Sequence, residues 1–157
     1  MALEYKSTEV FLRPDVRYRS ILVSKFINCF MHKGKKSVAE RVFYQAMDLL
    51  KTRISDKDPL EVFETAINNV KPLVEVRSKR VGGATYQVPV EVSRKRQLSL
   101  AIRWVIKAVR SKKGKASSQR LSDEIANAYN KQGDAVTQRE NTHKMAEANK
   151  AFAHFAW

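Results

Sequence analysis

The sequence predicts a mainly α-helical protein: a single-domain bundle of about six helices, with a two-stranded β-hairpin arm protruding between the third and fourth. Three observations carry this. Apolar residues recur at three- and four-residue spacing in six segments. One stretch, RSKRVGGATYQVPVEV at 77–92, alternates instead, around a glycine pair. Finally, 157 residues with 43% hydrophobic content suffice for one core and leave little room for two. The domain is expected to span 1–157, with the arm at 73–92 inserted in it and no linker or repeat.

The first helix is SILVSKFINCFM, with Leu22, Phe26 and Cys29 or Phe30 at helical spacing, Val23 and Ile27 alongside, and an end at Lys33-Gly34. Cys29 falls on that stripe and reads as a buried, inert thiol. As the one cysteine, it excludes an internal disulfide and fits a reducing compartment. The second helix opens with Ser37 and Glu40 in capping-box positions, and its stripe runs Ala39, Val42, Phe43, Ala46, Leu49, Leu50. In the third, Asp58 caps, Pro59 takes the first turn and Glu61 closes the box. Leu60, Phe63, Ile67 and Val70 face inward, and Pro72 stops it.

The hairpin follows. Gly82-Gly83 suits a two-residue loop whose central positions take positive φ. That turn pairs Val81 with Ala84, Arg80 with Thr85, Lys79 with Tyr86 and Ser78 with Gln87. Arg80, Thr85, Ser78 and Gln87 then share one face, and Lys79, Arg77, Tyr86 and Val88 the other. Pro89 lacks a ladder donor, which excludes a central strand. An isolated ribbon is marginal in water, so this one is expected to settle against a partner rather than on its own core.

Ser93 caps the fourth helix, with Leu98, Ala101, Ile102, Val105 and Val109 inward and Gly114 as terminator. The fifth presents Leu121, Ile125, Ala128 and Tyr129 and ends at Gly133. The sixth takes Thr137 and Glu140 as a capping box, with Met145, Ala148, Phe152 and Phe155 on one face. Phe152, Phe155 and Trp157 suit either an aromatic platform or a terminal helix docked on the bundle. Docking fits the two phenylalanines better, and Trp157 stays open.

Thirty Lys+Arg against 16 Asp+Glu leave a formal charge of +14, which points to a polyanionic partner. The charge is uneven. Residues 1–36 carry +5, 37–70 carry −2, 71–115 carry +11 and 116–157 none. A merely solvated surface mixes its signs. No apolar run approaches a membrane span, and MALEYKSTEV, with Glu4 and Glu9, lacks the features of a signal or transit peptide. A soluble intracellular protein is expected.

HKGKKS (32–37) invites a phosphate-loop reading, but that motif needs a glycine where the chain has Cys29, and a strand where the pattern is helical. A basic turn leading into a helix remains, a seat for a backbone phosphate or simply a solvated loop. His32, His143 and His154 lack partners at metal spacing. His143 and His154 fall eleven residues apart on the last helix and read as ordinary helical histidines. Asp56/Asp58 and Asp123/Glu124 sit at helix starts, where capping and the macrodipole account for them. The sequence therefore assigns no catalytic, metal or cofactor residue. It predicts no enzyme, no cofactor and no small-molecule substrate.

What it assigns is a set of cations: Lys33, Lys35 and Lys36 in the turn, and Arg77, Lys79 and Arg80 on the arm. The fourth helix adds Arg94, Lys95, Arg96, Arg103, Lys107 and Arg110, followed by Lys112, Lys113 and Lys115. If roughly six neutralise phosphates, a fourfold rise in salt weakens binding about 1,000-fold or more. Tyr86, Thr85 and Gln87 can add stacking or hydrogen bonds to an RNA shape. These features define a helical nucleic-acid-binding module with a basic arm and leave RNA and DNA open.

Three blocks decide further. Leu22 and Phe26-Ile27 precede Gly34-Lys35-Lys36, Val42-Phe43 and Ala46. VRSKRVGGATYQVPVEVSRKRQLSLAIRW runs from Val76 to Trp104, and KMAEANKAFAHF lies near the end. From about Asp15 onward the chain resembles the bacterial-type small-subunit ribosomal protein of the seventh universal family. The resemblance implies a primary binder of small-subunit rRNA that attaches to the 3′ major domain and nucleates assembly of the subunit head. It implies a place near the tRNA exit site and the exiting mRNA, with the ninth and eleventh small-subunit proteins as neighbours. Arg80, Gly82, Gly83, Thr85 and Tyr86 of the ribbon and His143, Lys144 and Lys150 of the last helix would then face tRNA and mRNA. It further implies a cytoplasmic ribosome, although an organelle-encoded member would read the same.

The main alternative is an architectural DNA-binding protein with a basic β-arm. Such arms want an apolar wedge at the tip, and Val81 and Ala84 around two glycines make a poor one. An RNA-processing enzyme would need a catalytic constellation. A translational regulator is compatible with the ribosomal reading, because a similar RNA shape can occur in an mRNA.

Overall fold

The computed structural model describes residues 11–155, so Glu4, Glu9 and Trp157 lie outside it. The order is α1 (Ile21–Phe30), α2 (Lys36–Arg53), α3 (Pro59–Val70), β1 (Val74–Val81), β2 (Ala84–Glu91), α4 (Arg94–Ser111), α5 (Ser117–Tyr129) and α6 (Asp134–Ala148), then a 3-10 segment (Lys150–Phe155). The expected architecture holds: a helical bundle with a two-stranded antiparallel hairpin between α3 and α4. Among the described residues no helix is long and apolar enough to cross a membrane.

The core forms where the stripes meet. Phe26, Phe43 and Phe63, one from each of the first three helices, are fully buried. Phe63 stands edge-on to both others at 5.3 Å between centroids, a geometry that adds about 0.5–1.5 kcal/mol per pair beyond burial. Ile102, Val105 and Val109 of α4 and Leu121, Ile125 and Ala128 of α5 close this core. Two stripes are rotated slightly from expectation: Met47 is buried where Leu49 was expected, and Val62 joins α3's inner face.

Other expectations fail locally. Cys29 is exposed, because Val23, Phe26 and Ile27 take the inner face of a ten-residue helix and position 29 falls beyond its edge. Helix α2 starts at Lys36, with Lys35 as N-cap, so Ser37 sits inside the first turn and does not cap. Lys33 and Gly34, at φ 51° and 75°, reverse the chain early, and the Lys36 amide donates to the Gly34 carbonyl at 2.9 Å. Helix α6 likewise starts at Asp134 after Gly133, and the Thr137 hydroxyl bonds back to the Gly133 carbonyl at 3.0 Å. Asp58 and Ser93 hold their N-cap positions, but neither side chain bonds its first turn.

The last helix is broken. Helix α6 ends at Ala148, and the Asn149 amide side chain donates to the Met145 carbonyl at 2.7 Å, a local bond that competes with helix continuation. Met145 is 58% exposed, and His143 and His154 lie in different elements. Phe152 and Phe155 turn toward the hairpin instead of the bundle.

The hairpin has the expected register, from Val81↔Ala84 to Ser78↔Gln87, continuing to Val74↔Glu91. It is less independent than expected. Val88 and Val92 are buried, and Ser78 and Gln87 hydrogen-bond across the strands at 3.0–3.2 Å. The lower half of the arm folds onto its own protein. The tip, Gly82 to Thr85, is exposed.

Candidate nucleic-acid interface

The short α1–α2 turn exposes Lys33, Lys35 and Lys36, the last 3.9 Å from Glu40 one helical turn on. Helix α4 buries one face; Arg103, Lys107 and Arg110 stand opposite it, and Arg94, Lys95 and Arg96 are exposed around its first turn. Arg110 Nη2 donates to the Phe30 carbonyl at 3.0 Å. That bond joins the two segments holding the sequence's excess charge into one surface. Among the described residues, the side chains of Lys33, Lys35, Arg80, Arg94, Arg103, Lys107 and Lys113 form no ion pair.

Other cations of the set are committed internally. Glu75, nearly buried on β1, accepts Arg77 at 2.5 Å and Arg96 at 2.8 Å, pinning the arm to the start of α4. Lys112 is half-buried and reaches Glu124 and Asp134. Burial disfavours its charge, yet the Glu124 hydrogen bond and the nearby carboxylates outweigh that and raise its pKa. Lys115 pairs with Asp123 at 3.3 Å. Burial pushes the Asp123 carboxyl up, but Arg53 and then Lys115 hold it below its ordinary value. Apart from Arg77–Glu75, two residues apart, these internal pairs span 8 to 70 residues of sequence, which is why composition alone misses them.

The arm's other face is covered as well. Tyr86 packs on Phe155 at 4.9 Å and Phe152 at 5.3 Å between centroids, and Lys79 Nζ donates to the Phe155 carbonyl at 2.8 Å. Arg80, Gly82, Gly83 and Thr85 remain exposed at the tip, with both glycines at positive φ. Lys144 and Lys150 are exposed on α6 and the 3-10 segment. His143 is engaged: its Nε2 accepts the Leu73 amide at 3.0 Å. Burial, then Arg139, lowers its pKa, in keeping with a neutral ring that accepts.

A helical bundle with exposed cations on a turn, a helix and an arm has the arrangement of a nucleic-acid-binding protein. The model of the family described as ribosomal protein S7p/S5e matches residues 3–150. The chain is 58% identical over 144 residues to the small ribosomal subunit protein uS7 of Rhodopirellula baltica, covering 91% of this chain and 92% of that one. Identity to the protein of the same name from Desulfotalea psychrophila is 55%, and to that from Thermosipho africanus 54%, each over 92% of both chains. The chain belongs to the ribosomal protein S7p/S5e family.

Proposed function

We propose that this chain is a structural constituent of the small ribosomal subunit, in the cytoplasm, that binds small-subunit rRNA directly through its 3′ major domain and nucleates assembly of the head. The observation that carries this reading is the surface joined by Arg110, where the cations of the α1–α2 turn meet those of α4 with few acids between them. Lys33, Lys35, Arg94, Lys95, Arg103, Lys107, Arg110 and Lys113 make the phosphate contacts. Arg80 carries the tip of the arm toward tRNA and exiting mRNA, with the ninth and eleventh small-subunit proteins as neighbours. Arg77, Arg96 and Lys112 hold the arm and the bundle in place instead.

Filter binding tests it, with a 3′ major-domain transcript against an equal-length DNA duplex and an unrelated structured RNA at two salt concentrations. Preference for the transcript that weakens when Lys33 and Lys35 become alanine supports the reading. Equal, steeply salt-dependent binding to all three would reduce the protein to a generic polycation.

A further inference from the structure

We propose that the cleft between the end of α1, the start of α2 and the C-terminal half of α4 receives one unstacked nucleobase of the bound RNA. This rests on the RNA-binding reading above and adds a means of choosing one RNA shape over another, which phosphate contacts do not provide. The cleft has a volume of about 420 Å³, within the roughly 300–1,000 Å³ range of small-ligand sites. Phe30, Val42 and Val109 form its apolar floor, and Val38, an apolar side chain 50% exposed, stands at its mouth.

Around that floor run Lys33, Lys35 and Arg110, and no carboxylate lines the cleft. The first turns of α2 and α5 also border it, through Val38 and Ser117, and neither helix has a side-chain cap. Their amide ends add partial positive charge to the rim. A bare phosphate gains nothing from the floor, and a plain apolar segment gains nothing from the rim. A nucleotide matches both, with a flat apolar ring for Phe30 and the valines and a phosphate on either side for the cations. Sequence-selective RNA recognition commonly uses such splayed-out bases.

The test uses the full chain and the 3′ major-domain transcript. Val38→Trp fills the mouth and removes no cation. Its affinity is expected to fall about tenfold, the scale of one lost base stack, with an unchanged salt slope and unfolding midpoint. Lys35→Ala is expected to make the slope shallower by about one. Val38→Leu, a smaller filling change, repeats the measurement should Trp disturb α2. Unchanged affinity in both Val38 variants would overturn the proposal and leave the cleft to an acidic protein segment. A loss accompanied by a shallower slope would overturn it too, because that marks phosphate tracking alone. Failure of the wild-type chain to prefer the transcript would sink the RNA-binding reading itself.

Discussion

Lys112 Nζ lies 2.5 Å from Oε2 of Glu124, a carboxylate with no exposed surface. The other oxygen of Glu124 accepts the Ala135 amide at 3.0 Å. One buried acid thus ties the end of α4, the middle of α5 and the start of α6 together. Removing the lysine strands that charge. Lys112→Ala is expected to cost about 3 kcal/mol, the low end for breaking a buried pair, because the lysine keeps about a third of its surface in water. Urea unfolding measures this. The salt slope of RNA binding should not change, unlike that of Lys107→Ala.

Gly133 presses on the same carboxylate. Its φ is 93°, and a Cβ there would stand 3.0 Å from Glu124 Oε1 and 3.1 Å from Asn127 Cβ. Gly133→Ala meets both the left-handed strain, about 1–2 kcal/mol, and this contact. Gly34→Ala meets only the strain, since nothing lies within 4 Å of its Cβ. Unfolding midpoints should rank wild type above Gly34→Ala above Gly133→Ala.

The His143–Leu73 bond makes the base of the arm sensitive to acid. A protonated ring loses the acceptor at Nε2, and the folded-state pKa lies below the ordinary 6.5. Its contribution to stability is therefore complete above about pH 6.5 and disappears as pH falls through the lower folded value. Wild type should lose more stability than His143→Gln between pH 7.5 and 5. Equal losses would show that the bond contributes nothing.

Hydrogen exchange in the free protein should divide the hairpin. Amides beside buried Val88 are expected to be protected, and those around Gly82 and Gly83 to exchange rapidly until RNA is added. Tyr86→Ala should extend fast exchange downward by releasing Phe152 and Phe155. Uniform protection of the whole ribbon in the free state would contradict this.

The hairpin register was legible residue by residue because a two-glycine turn fixes its neighbours through backbone geometry alone. Helix stripes from α1 to α5 were legible for the same local reason, apart from small rotations at Met47 and Val62 and the exposure of Cys29. The α6 stripe was not, since Ala135, Val136 and Ala146 are buried there while Met145 and Ala148 are exposed. The helix starts were misread at Ser37 and Thr137, where a preceding glycine at positive φ began the helix before the side-chain signal. At the candidate site, the segments carrying the charge could be read, but its partition between solvent and interior could not. Whether Arg96 is available depends on Glu75, and whether Lys112 is available depends on Glu124, and both carboxylates looked ordinary in sequence. The clasp of Phe152 and Phe155 on Tyr86 was equally hidden, because it joins residues 66 or more apart in sequence.

That clasp has a practical side. Phe155 holds Lys79 through its carbonyl and Tyr86 through its ring. A purification tag or fluorescent protein fused close to Phe155 would load that joint directly. Reporter placement there would pull on the arm, and affinities measured with such fusions would describe a loosened ribbon.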